Sequence, residues 1–147
     1  MKTIGNKNQA SALGWMSHAE INFLKVLNQT ISDNAFVFTK IRINDLVDET
    51  LFANKQNLTR DFGDEVFDFV ICERDDLSVI CVIQLDDRSQ PARESHSEES
   101  YKKICREAGL NLLEIPAMCG YDLAKLKNSI LSHSARRQED MRVLKTA

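Results

Sequence analysis

Three side chains capable of chemistry sit at odd places in apolar runs. Asp68 lies between Phe67 and Phe69 in "FDFVIC", and Gln84 and Asp86 close the run "SVICVIQLDD". A carboxylate flanked by two phenylalanines is unusual in a strand with a buried look. Two carboxylates brought together at the edge of such a sheet repel each other, which raises one pKa or recruits a cation. Oxygen donors suit Mg²⁺, with Mn²⁺ as its substitute, because Mg²⁺ takes one or two protein carboxylates and leaves its remaining positions to water and phosphate. An ion held by Asp68 and Asp86 could activate a water and stabilise charge on a phosphodiester. The chemistry these residues suggest is metal-assisted phosphodiester hydrolysis.

Whether the acids meet depends on the elements that carry them. "FDFVIC" and "SVICVIQL" are separated by the short polar insert "ERDDL", so they should form an antiparallel hairpin. Successive strand side chains point to opposite faces. Asp68, Val70 and Cys72 are expected on one face of their strand, and Ile80, Val82, Gln84 and Asp86 on one face of theirs. A register pairing Asp68 with Gln84 or Asp86 gathers the polar groups, whereas a slip of one residue pairs Asp68 with Leu85 and disperses them. In the gathering register Cys72 and Cys81 fall on opposite faces and form no disulfide.

The wider pattern supplies the rest of the frame. "SHAEINFLKVLNQTI" carries apolar residues near helical spacing, with Ser17 and Glu20 in a capping-box arrangement, and predicts a helix over 17–31. "AFVFTKIRI" reads as a strand. A short helix is expected near Asp45–Ala53, then a polar loop. The polar stretch "DDRSQPARESHSEES" leads into a helix over 98–108 that stops at Gly109. "LNLLEIP" is a strand over 111–116, and a final helix starts near Tyr121 and breaks or frays after His133. The fold class is therefore α/β: a mixed central β-sheet flanked by helices, in the order α-β-β-β-α-β-α. The strand at 79–85 is expected near the centre, joined to 111–116 by a right-handed crossover.

The chain has 147 residues, enough for one domain with a real core. The expected division is a flexible N-terminal arm over 1–16, a single α/β domain over 17–133 and a C-terminal helical extension or tail over 134–147. No apolar run reaches membrane-spanning length and the N-terminus lacks a signal-peptide core, so a cytoplasmic location without membrane association is expected. Cys72, Cys81, Cys105 and Cys119 have no metal-knuckle or redox-pair spacing and are expected reduced. The net charge of −3 argues against a nucleic-acid coat protein but not against an enzyme that gathers lysines around an acidic centre.

A helix carrying Glu20, then "FDFVI", a hairpin, "VIQLDDRSQ", a polar loop, a helix and "AGLNLLEIP" together resemble the PD-(D/E)XK nuclease superfamily, and more closely the uncharacterised domains near the very-short-patch-repair endonucleases. The resemblance covers about residues 17–125. It implies a restriction-endonuclease-like fold. It places Asp68 at the superfamily's first metal-binding aspartate and Gln84 where the second acid usually stands. Asp86 falls where many members have a lysine, and Glu20 matches a first-helix glutamate. Gln90 stands where relatives commonly carry a histidine, and a lysine could act from Lys102 or Lys103. The catalytic set so implied is Glu20, Asp68, Gln84 and Asp86, acting on DNA.

Each of these residues has a plainer explanation: Glu20 as a capping residue, Asp68 as a backbone-bonding strand aspartate, Gln84 as a polar strand end, and Asp86 with Asp87 as a solvated turn. Two functions follow. One is a Mg²⁺-dependent DNA endonuclease. The alternative is a catalytically inactive nuclease-fold module binding nucleic acid or a protein partner, which the neutral Gln84 favours.

Overall fold

The computed structural model describes residues 11–47, 65–87, 98–134 and 142–143. After a 3₁₀ turn at Ala12–Gly14, helix α1 spans His18–Ile31. Its start is set by a reciprocal capping box. The Glu20 N–H donates to Ser17 Oγ (3.1 Å) and the Ser17 N–H donates to Glu20 Oε2 (3.2 Å). Phe23, Leu27 and Ile31, four residues apart, are the fully buried stripe, with Ile21, Leu24 and Val26 packed at its margins.

Strand β1 (Ala35–Arg42) follows and leads directly into α2, a single turn at Ile43–Leu46. The helix expected at Asp45–Ala53 thus begins earlier, at Ile43, and residues 48–53 lie outside the described residues, as do Gln90 and most of the polar loop before 98. Strands β2 (Val66–Glu73) and β3 (Val79–Asp86) form the expected antiparallel hairpin. Helix α3 (Glu98–Ala108) crosses over to β4 (Leu112–Pro116), which pairs parallel with β3. Helix α4 (Leu123–Leu131) is capped by Asp122, whose Oδ1 accepts the Lys125 N–H, and ends at Ser132. Of the segment beyond, 134 and 142–143 are described.

The sheet order is β1-β2-β3-β4, so β2 and β3 are central and the sheet is mixed, as the apolar runs predict. One face packs Phe69, Ile71, Cys81 and Ile83 against Phe23, Leu27 and Ile31 of α1 and Leu126 and Ile130 of α4. The other packs Phe67, Val70, Cys72 and Val82 against Ile104 and Cys105 of α3. The end of α3 is fixed by Gly109 at φ 69°. Its N–H and that of Leu110 close back on the Arg106 and Cys105 carbonyls, the paired bonds of a Schellman turn.

The cysteines behave as small hydrophobes. All four are free, and Cys72, Cys81 and Cys105 are buried. Cys72 and Cys81 belong to opposite faces of the sheet, as expected. Desolvation, with a smaller contribution from Cys72, pushes the Cys81 thiol up to about 12. Desolvation, then the charge of Glu114, does the same for Cys105.

Candidate functional site: an ionic cluster between helix α1 and the central strands

The hairpin register near the site is the gathering one. Phe69 pairs with Ile83, Val70 with Val82 and Ile71 with Cys81. An irregularity between Ile71 and Cys72 then shifts the pairing to Cys72 with Val79, at the turn end and away from the acids. Continuing the register beyond Phe69 brings Asp68 to Gln84, where side chains take over from the backbone ladder. The Asp68 N–H donates to Gln84 Oε1 (2.8 Å), Gln84 Nε2 donates to the Val66 carbonyl (3.3 Å), and the Leu85 N–H donates to Asp68 Oδ2 (2.9 Å). Gln84 therefore acts as an inserted peptide group, one acceptor and one donor, that satisfies the edge of β2 where it parts from β3.

The other Asp68 oxygen meets a residue the sequence reading passed over. Lys40 Nζ donates to Asp68 Oδ1 (3.0 Å) and to Glu20 Oε1 (2.9 Å). The three side chains are 14%, 12% and 10% exposed for Lys40, Asp68 and Glu20, so the ion triad is largely shielded from water. Two carboxylates that close would repel; the ammonium between them offsets the repulsion. Glu20 divides its oxygens, Oε2 to the Ser17 N–H and Oε1 to Lys40. It is both the capping residue and a member of the cluster. The plainer explanation of Glu20 and its place in the site hold together.

Lys40 reaches this position by a backbone departure. It lies in β1 at φ 53°, the left-handed region, which costs an ordinary residue about 1–2 kcal/mol. The regular β1–β2 pairs flank it, Thr39 with Phe69 and Ile41 with Phe67. Across this point the side chains exchange faces. Val37 and Phe69 pack toward α1, whereas Ile41 and Phe67 pack toward α3. Asp68 consequently turns toward α1 and Lys40, not to the face of Val70 and Cys72 where strict alternation places it. The period-two expectation fails here because a left-handed residue breaks the pleat.

Asp86 is exposed at the end of β3. Its carbonyl accepts the Ala117 N–H (2.8 Å), and its backbone pairs with Pro116. Lys102 and Lys103, which the resemblance offers as a source of a catalytic lysine, lie on the exposed side of α3, and Lys102 Nζ is 3.8 Å from Glu114 Oε1. The structure thus brings together Glu20, Asp68 and Gln84 from the sequence-derived set, adds Lys40 and leaves Asp86 at the rim. Little in the sequence marks Lys40. In "FVFTKIRI" it reads as one more solvent-facing strand residue, and the segment between β1 and β2 conceals which residue will oppose Asp68.

These donors do not fit a divalent metal as they stand. Mg²⁺ requires oxygen ligands at about 2.0–2.1 Å in near-octahedral array. Here Glu20 and Asp68 converge on an ammonium, the second Asp68 oxygen is taken by a backbone N–H, and the Gln84 oxygen is taken by another. Among the described residues, no three His, Cys, Asp or Glu side chains are grouped to hold a metal ion. Among them, too, no helix is long and apolar enough to cross a membrane.

A family model described as "Protein of unknown function (DUF2726)" matches residues 14–133. No curated protein and no solved structure matches the chain.

Proposed function

The chain belongs to the DUF2726 family, and from its ionic cluster we propose that it is a nuclease-fold module that binds nucleic acid without metal-dependent cleavage. The observation that carries this reading is the arrangement of Glu20, Lys40, Asp68 and Gln84. The carboxylates a metal-dependent nuclease would offer to Mg²⁺ are neutralised by Lys40, and Gln84, at the position where an acid would complete the set, is bonded on both sides to backbone. The elements that resemble the PD-(D/E)XK superfamily supply the frame, and the cluster ties that frame together.

The nucleic-acid side of the proposal rests on the resemblance and on α3. Lys102, Lys103 and Arg106 all lie on its exposed side. Such a face can follow a phosphate backbone even on a chain of net charge −3, and its contribution is salt-dependent. The competing reading, a Mg²⁺-dependent endonuclease using Glu20, Asp68 and Asp86, is favoured by the convergence of Glu20 and Asp68 on one cationic point. Plasmid nicking in Mg²⁺ or Mn²⁺, run beside fluorescence anisotropy with labelled duplex and single-stranded DNA, separates the two. Binding that weakens with salt and with Lys103→Glu, with no nicking above a buffer control, supports the module. Metal-dependent nicking abolished by Asp68→Asn supports the endonuclease instead.

A further inference from the structure

The geometry points to Lys40 as a resident cation: its ammonium holds the place between Glu20 and Asp68 that a diffusible divalent ion would otherwise take, and so keeps this centre metal-free. The inference deepens, and rests on, the reading of a module that does not cut. Three features of the molecule carry it. The first is geometry: one ammonium is shared at 2.9 and 3.0 Å by carboxylates from two different elements, α1 and β2. The second is shielding, since all three side chains are at most 14% exposed, and a cation arriving from solvent would have to displace a charge that is covalently tethered. The third is backbone: Lys40 adopts a left-handed conformation at φ 53° in the middle of a strand, at the point where β1 and β2 exchange faces. At this departure the Lys40 side chain meets the two acids, and its ammonium holds both.

A tethered ammonium and a bound metal differ in their consequences. Lys40 balances charge and offers N–H donors, but it has no open coordination position for water or phosphate, so it cannot supply a metal-activated nucleophile. Removing its charge leaves Glu20 and Asp68 facing each other without a counter-charge, a situation that recruits a cation. Lys40 is thus a positioning residue that sets which cation the acids hold.

The test is calorimetric titration of the full chain with MnCl₂ alone, no nucleic acid present, so its outcome is separate from whether the module binds DNA. The wild type is expected to show no saturable Mn²⁺ binding that depends on Asp68. Lys40→Ala, which makes room for a hydrated ion, and Lys40→Gln, which keeps a hydrogen-bonding head without charge, are each expected to gain saturable binding. The gain should be at least about tenfold in affinity and should appear as a Mn²⁺-dependent rise in Tm. Adding Asp68→Asn should abolish it. Wild-type Mn²⁺ binding lost in Asp68→Asn overturns the inference, and so do folded Lys40 variants that gain nothing. If both variants are unfolded without metal, the wild-type titration still decides. A paramagnetic companion reads the same chain: Mn²⁺ should leave the Lys40 ammonium NMR signal unbroadened, and selective broadening of that signal contradicts the proposal.

Discussion

Replacing Gln84 with glutamate looks conservative and should not be. The Gln84 amide works in both directions, accepting from the Asp68 N–H and donating to the Val66 carbonyl. A carboxylate keeps the first bond and loses the second. The Val66 oxygen then faces a charged oxygen in place of an N–H, and a third negative charge joins Glu20 and Asp68 against the single charge of Lys40. Leaving a buried acceptor unpaired costs about 1–3 kcal/mol. Gln84 is half-buried, which places the expectation near the lower part of that range, about 1–2 kcal/mol. For a domain of this size that corresponds to a fall in Tm of roughly 2–8 °C. The sign with pH follows from the same contacts. A carboxyl at 84 is disfavoured in its charged form by the Val66 carbonyl and by Asp68, so its pKa in the folded variant rises above the usual value of about 4.3. Stability gained from the protonated form is fully present below that value and is lost as pH rises through the folded pKa. The deficit relative to wild type should therefore be largest at neutral pH and shrink toward pH 4, where a protonated acid regains an O–H donor. Thermal melts of both proteins across that range, without metal, measure it. A Gln84→Glu variant as stable as wild type at neutral pH would refute the backbone role assigned to this amide.

Other perturbations separate the parts of the cluster. Lys40→Met, which leaves two shielded carboxylates without their counter-charge, should cost about 3 kcal/mol by urea unfolding, and adding Glu20→Gln and Asp68→Asn should recover most of it. Ser17→Ala removes one half of the α1 capping box and should cost about 1 kcal/mol. Native alkylation at pH 8 followed by mass spectrometry should modify the exposed Cys119 first, with Cys81 and Cys105 reacting only on unfolding. Because the folded values of Cys81 and Cys105 lie near 12 against the usual 9.0, their contribution to stability is complete below pH 9 and falls away as pH rises toward 12; unfolding free energies measured across that range should decline accordingly.

The sheet was readable because its signals are dense. Two unbroken apolar runs either side of "ERDDL" indicate a central hairpin. The step from "VIQL" through an amphipathic helix to "LNLLEIP" indicates a parallel crossover, and Ser17 with Glu20 marks the start of α1. Asp68 was conspicuous for being a carboxylate between two phenylalanines. Lys40 was not, because its placement depends on a left-handed φ and on an opposing residue 28 positions away, and neither leaves a local trace in "FTKIRI". The function of Gln84 was legible only as a departure from the acid that the resemblance anticipates. That the amide is the group which can both accept from Asp68 and donate to Val66 depends on where β2 and β3 part, and hydrophobic periodicity does not carry that information.

A crystal structure of the wild-type protein grown in MnCl₂, with data collected above the manganese absorption edge, shows directly which cation Glu20 and Asp68 hold. Lys40 Nζ is expected between Glu20 and Asp68, with no anomalous peak within bonding distance of either carboxylate. A manganese peak ligated by Asp68, with the Lys40 side chain displaced, would contradict it.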